Sequence, residues 1–184
     1  CSGDTVDLYA TASCDYMMMN DFDDGTMGVG WSSSCTPMFT NPCDPDPEGT
    51  THLWIGNDTD FPRELITQEY TVTDQCQICF DMDYATQGDA SPCEGIDLPD
   101  EGIHVQWSID GGSTWTDIHY FPPDSALCPG AAGYDDCMTA WNSYCLDVPA
   151  SATSSQTQFR FFQDVTSGFD YDHWGLDDVE ISCL

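Results

Sequence analysis

The sequence predicts an all-β domain built as two packed antiparallel sheets. Three observations carry that reading. No segment keeps apolar residues at i, i+3, i+4 and i+7 for three turns, so amphipathic helices are not expected. Eight short runs rich in β-branched and aromatic residues are spread along the chain. They are separated by Gly, Pro, Asp and Asn, the residues that tight turns require. A chain of 184 residues with 40% hydrophobic and 12% aromatic content buries one core rather than two, so residues 1–184 are read as a single domain.

In chain order, residues 1–15 form an N-terminal extension or a first strand, and the Met17-Met18-Met19 run reads as part of an early edge strand rather than a copper site. The segment from Cys35 to Gly49, CTPMFTNPCDPDPEG, holds four prolines and is expected to be an ordered loop pinned by Cys35 and Cys43. The runs THLWIG and ELITQEYTV follow, with Arg63 in the loop between them, and then QCQICFDMDY, IHVQWSID and WTDIHYF. A second long loop, residues 122–142, carries Cys128 and Cys137 as its anchors. The runs SYCLDVP, TQFRFFQDV and WGLDDVEIS complete the set. No internal repeat is visible.

The charge balance excludes whole classes of partner. Thirty-three acidic residues face only Arg63 and Arg160, there is no lysine, and the formal net charge is −31. Nucleic acid and anionic membrane both need a basic footprint, which this chain lacks. The acids are spread through stretches that also carry Trp, Phe, Ile and Val, as on a folded acidic surface. Such a surface repels itself, and divalent cations, salt or protonation must relieve it.

Eleven cysteines are too many for a reducing compartment unless they hold metal clusters, and their spacing does not suit clusters. Cys76 and Cys79 form a C-x-x-C, but in QCQICFDMDY the apolar residues fall on alternate positions, as in a strand. Side chains alternate there, so Cys76 points inward with Ile78 and Phe80 while Cys79 points outward, and the two do not pair with each other. Disulfides, and an extracellular or cell-surface location, are the better reading. An odd count leaves one thiol free, modified or bonded to another chain. No run is apolar and long enough to cross a bilayer. Cys1 reads either as the lipid-bearing residue of a mature lipoprotein, or as the edge of a longer chain where it ties down the first strand or forms an intermolecular disulfide.

The stretch WSIDGGSTW, Trp107 to Trp115, carries the Asp-box pattern S-x-D-x-G-x-T-W. Its glycines supply the positive φ angles of a tight hairpin. In the turn that holds Gly112, Asp110 is placed to accept backbone N–H bonds, Ser108 and Thr114 to close the neck, and Trp115 to pack beneath it. The pattern is best known from sialidases, whose family grips a substrate carboxylate with three arginines. Two arginines cannot assemble that cluster, so the motif is read as a structural hairpin.

The motifs together resemble a known family. MNDFDDGTMGVGW, with Asp21-Phe22-Asp23 and Trp31, is similar to the opening acidic-Phe-acidic motif of the jelly-roll half-repeat of reelin, also found as single domains on secreted bacterial proteins. CEGIDLPDEGIHVQWSIDGGSTWTDI looks like its Cys, Glu, spacer and hairpin, and YDHWGLDDVEI like its last strand. The resemblance spans residues 16–182. It implies a jelly-roll β-sandwich with one structural calcium near the junction of the first and last strands. Asp21, Asp23 and Asp177 match the family's acidic positions, with Asp24 and Asp178 as adjacent spares. Calcium takes oxygen ligands, and carboxylates in loops supply them. Val179 and Ile181 are expected to face the core, which puts Asp177 on the same side, where an unpaired carboxylate would be costly without a metal.

The remaining candidates are weaker. His52, His104, His119 and His173 show no metal spacing, although alternation would let His104 and His119 face each other. A carboxylate pair for glycoside hydrolysis cannot be singled out among so many acids. No nucleophile elbow, P-loop or dinucleotide fingerprint is present, so no catalytic residue is assigned. Asn57-Asp58-Thr59 fits a glycosylation acceptor. Tyr120, Phe121, Tyr134, Trp141, Tyr144, Phe169 and Tyr171 lie in or beside loops, where an aromatic platform would stack sugars. The reading is a non-enzymatic, disulfide-rich adhesion or structural module, stabilised by Ca2+, that assembles with copies of itself or other surface proteins, for instance in a filament. The alternative is a carbohydrate-binding module.

Overall fold

The computed structural model describes residues 15–40, 42–43, 51–56, 62–123 and 139–183. The strands among them are β1 (Asp15–Asn20), β2 (Trp31–Ser33), β3 (Met38–Thr40), β4 (His52–Ile55), β5 (Arg63–Thr67), β6 (Tyr70–Val72), β7 (Cys76–Tyr84), β8 (Ile103–Ser108), β9 (Thr116–Phe121), β10 (Asn142–Asp147), β11 (Ser154–Gln163) and β12 (Trp174–Cys183). Among the described residues the one helical element is a single 3-10 turn at Ala150–Ala152. The strands form two antiparallel sheets. The first runs β10-β7-β12-β4-β3, with β1 on the second half of β12; the second runs β2-β5-β11-β8-β9, with β6 on the start of β11. This is the expected all-β jelly-roll sandwich.

Strand alternation decides what lies between the sheets. In β7, Cys76, Ile78, Phe80, Met82 and Tyr84 are buried. They meet Phe159 and Phe161 of β11 and Ile103 and Val105 of β8, which belong to the same core. The Phe80 and Phe161 rings cross edge to face at 4.9 Å, a favourable quadrupole geometry. Cys76 and Cys79 stand on opposite faces of β7 and bond to different neighbours, Cys183 of β12 and Cys145 of β10. The central strand is thereby stapled to the strand on either side. Cys43 bonds Cys93.

Several expectations need correction. The proline-rich segment is not loop throughout: Met38–Thr40, the proline-free stretch between Pro37 and Pro42, pairs with β4 as an edge strand. Cys43 is held by Cys93, far along the chain. ELITQEYTV splits at Gln68-Glu69 into β5 and β6, both paired with β11. Arg63 is no loop residue but opens β5, fully buried. His104 opposes Tyr120, whereas His119 opposes Val105 on the other face, so the two histidines do not face each other. Cys1, Asn57, Tyr134, Cys128 and Cys137 lie outside the described residues.

The last strand carries a bulge. Its register against β7 shifts between Asp177 and Glu180, and Asp178 takes a left-handed backbone, φ 47°. One inserted residue flips the alternation. Val179 and Ile181 face the core, but Asp177 sits opposite Asp81 on the outer face of the sheet, still buried at 4% exposure. Asp177 therefore does not share the side of Val179 and Ile181.

Candidate functional site

The β8–β9 hairpin orders one edge of the second sheet. Asp110 Oδ1 accepts the Thr114 N–H at 2.9 Å and the Ser108 hydroxyl at 2.8 Å, and Oδ2 accepts the Thr114 hydroxyl at 2.7 Å. The Gly112 N–H donates to Ser108 Oγ at 3.0 Å. Bonds to the charged form, led by those from Thr114, lower the Asp110 pKa to about 2. A Cβ on Gly112 would lie 3.3 Å from the Trp115 ring, which therefore packs against the turn.

This hairpin and strands β8, β9 and β11 present a continuous aromatic and polar strip on the outer face of the sheet. Because Phe159 and Phe161 face inward, Arg160 and Phe162 face out. The Arg160 guanidinium lies 3.8 Å from the Phe162 ring centre and 4.4 Å from that of Trp115, two cation–π contacts on one group. Its Nη1 donates to Glu64 Oε2 at 2.7 Å and its Nε to Gln106 Oε1 at 2.6 Å. Burial pushes the Arg160 pKa down, against the pull of Glu64. Beside it the His104 and Tyr120 rings lie 4.3 Å apart, and Asp117 Oδ1 bridges His104 Nδ1 and the Gln106 amide. The rings are fixed by partners that leave their outward surfaces half-exposed. Such a strip can stack on flat apolar faces and exchange hydrogen bonds at its rim.

Of the aromatic residues singled out in the sequence, Tyr120 lies in this strip. Phe121 is buried, Tyr144 packs on Phe80 and Phe121, and Trp141 lies against His52 and close to Gly175. Phe169 and Tyr171 are exposed in the β11–β12 connection. The sequence marks Trp115 only as a turn residue and does not single out Arg160 and Phe162 as parts of an outer-face strip. The signal was present in QFRFFQ, where placing two phenylalanines inward forces the residues between and after them outward.

The three aspartates matched to a calcium site do not gather into one ligand group. Asp21 and Asp23 are exposed in the β1–β2 connection; Asp21 Oδ1 accepts the Asp23 N–H, and Asp23 Oδ1 accepts the Thr51 N–H. Asp21 lines a hollow with Asp178 and Glu180, while Asp177 accepts the Asp178 N–H from the outer face. Among the described residues these three do not converge as the ligand atoms of one group, because the bulge puts Asp178 rather than Asp177 beside Asp21.

A different group of carboxylates does converge. Among the described residues, oxygens of Asp97, Glu101 and Asp172 lie within 4.8 Å of one another. Asp97 and Glu101 come from the β7–β8 connection, and Asp172 from the β11–β12 connection. Backbone bonds lock the two loops together: Asp172 N–H donates to Glu94 Oε2 at 3.0 Å and His173 N–H to the Glu94 carbonyl at 3.0 Å. Arg63 donates to the carbonyls of Gly56, Gly168, Tyr171 and Asp172 and to Gln163 Oε1. Glu101 and Asp172 are each only 1% exposed. Burial raises the pKa of Glu101 to about 7 and pushes those of Asp172 and Glu94 up as well.

Comparison with known proteins agrees with this architecture. The family model of Reelin subrepeat B matches residues 39–182. The K2 cleaved adhesin domain of Lys-gingipain is similar in structure at 15% identity, with 89% of this chain and 96% of that one covered and a TM-score of 0.55. A mutant of a family 29 carbohydrate binding module complexed with cellulohexaose is similar at 9% identity, covering 94% and 93%, TM-score 0.55. TmCBM61 complexed with beta-1,4-galactotriose is similar at 12% identity, covering 90% and 95%, TM-score 0.51. At these identities the likeness is one of fold.

Proposed function

Because the chain belongs to the Reelin subrepeat B family, we propose that it acts as a non-catalytic extracellular adhesion module that holds a neutral glycan on the outer face of its second sheet. The observation that carries this reading is the strip formed by Trp115, Arg160, Phe162, His104 and Tyr120. Pyranose rings have apolar faces that stack on aromatic rings and hydroxyls that pair with amides and carboxylates. Gln106, Asp117 and Glu64 supply the latter at the rim. Two of the similar structures carry bound oligosaccharides, and a third is an adhesin domain, which supports the reading without assigning a ligand. The three disulfides among the described residues fit an oxidising compartment.

Charge narrows the ligand class. A net charge of −31 repels sulfated and sialylated chains, and the strip's one guanidinium is already engaged by Glu64. Neutral glycans are the expected ligands. The test is a glycan array followed by calorimetry with the hits, using wild type and Trp115→Ala. Binding of neutral oligosaccharides that weakens in the variant supports the proposal. An array on which no neutral glycan binds, or binding that Trp115→Ala leaves unchanged, overturns it.

A further inference from the structure

The loop ends beyond β7 and β11 hold two ionisable carboxyl groups out of water with little to offset them. Glu101 accepts the Leu98 N–H at 2.9 Å on Oε2 and the Ser167 hydroxyl at 2.9 Å on Oε1. Asp172 accepts the Ser167 N–H on Oδ2. Its other oxygen, Oδ1, is buried and has no hydrogen-bond partner. The cation nearest this group is Arg63, whose guanidinium donates to the carbonyls of Gly56, Gly168, Tyr171 and Asp172 and to Gln163 Oε1. A buried carboxylate oxygen with no donor is unfavourable unless something positive reaches it.

We propose that Asp97, Glu101 and Asp172 form a binding site for one divalent cation of the calcium class, distinct from the seam where Asp21 lies. The donor set is all oxygen, with neither thiolate nor imidazole among the three, which selects a hard cation over zinc or copper. Two members are fixed: donors orient Glu101 on both oxygens and Asp172 on one, which leaves Asp172 Oδ1 available to the ion. Asp97 is exposed and closes the site from solvent, with water completing the coordination. Glu94, whose Oε2 holds the Asp172 N–H, adds negative charge behind the group. The ion joins the β7–β8 loop to the β11–β12 loop, so its occupancy fixes both ends of the sandwich at that pole.

The test uses the whole chain, stripped with chelator and titrated with Ca2+ by calorimetry, with Tb3+ luminescence as a second readout. Wild type is expected to bind one ion at this group. Asp97→Asn, an exposed substitution that leaves the core intact, is expected to weaken it by roughly tenfold or more, and Asp172→Asn to abolish it. Asp21→Asn is expected to leave this binding event unchanged. The proposal is overturned if wild type binds no Ca2+ at millimolar concentration, or if Asp97→Asn and Asp172→Asn bind as wild type does. It is also overturned if Glu101→Gln raises the melting temperature equally with and without Ca2+, because the group would then be a shared-proton pair.

Discussion

Replacing Cys79 and Cys145 together by alanine removes the bridge that ties the edge strand β10 to the central strand β7. This bridge isolates the effect of the cross-link, because it sits on the outer face of the sheet and little core packing is lost with it. The bridge spans 66 residues in sequence. With Cys76–Cys183 intact, the path through that second bridge shortens the closed loop to about 41 residues. Loop-closure entropy for that length corresponds to about 4 kcal/mol at room temperature. For a chain of this size the melting temperature falls by roughly 10 °C. Calorimetry under non-oxidising handling, with wild type run beside the variant, measures it. A loss below about 1 kcal/mol would refute the reasoning, since the unfolded chain would then gain no freedom from losing the bridge.

Three further outcomes are expected. The Asp110 pKa lies below its ordinary value, so the stability that its bonds contribute is present above pH 3.8 and lost as pH falls through about 2. The Thr114 amide resonance followed by NMR should titrate near 2, and a midpoint at the ordinary value would count against the bonded turn. Phe162→Ala should weaken binding of a neutral oligosaccharide by about tenfold, the effect of losing ~1.4 kcal/mol of stacking, while the melting temperature stays put. Gly95→Ala would drive a Cβ into the Ala85 carbonyl oxygen, a backbone atom that cannot turn aside. Denaturant titration should show a loss of about 3 kcal/mol or more, and a near-neutral result would mean that Gly95 does not pack against Ala85 within the β7–β8 connection.

The strands were legible because alternation of apolar residues is a local property, written into runs such as QCQICFDMDY. The same alternation separated Cys76 from Cys79 before any pairing was known. What escaped the sequence was anything that depends on a break in that alternation or on distant loops meeting. The Asp177-Asp178 pair gives no sign that the second residue adopts a left-handed backbone, yet that one bulge turns Asp177 to the other face. Glu101 and Asp172 are far apart in sequence, among 33 acidic residues, and only the folded loops single them out. Arg63 looked like loop because it lies between two strand-like runs, whereas two of its guanidinium nitrogens make five hydrogen bonds, four to backbone carbonyls and one to Gln163 Oε1, that nothing local would have named.

The Cys76–Cys183 bridge also determines how the domain answers a pull on its ends. Tension entering at the C-terminal strand crosses directly into β7 through sulfur, and Cys43–Cys93 hands it on from residue 93 to residue 43, so residues 94–182 lie off the loaded path and cannot be drawn out. Under such a load, extension is confined to the residues before Cys43 and those between Cys76 and Cys93 while both bridges hold.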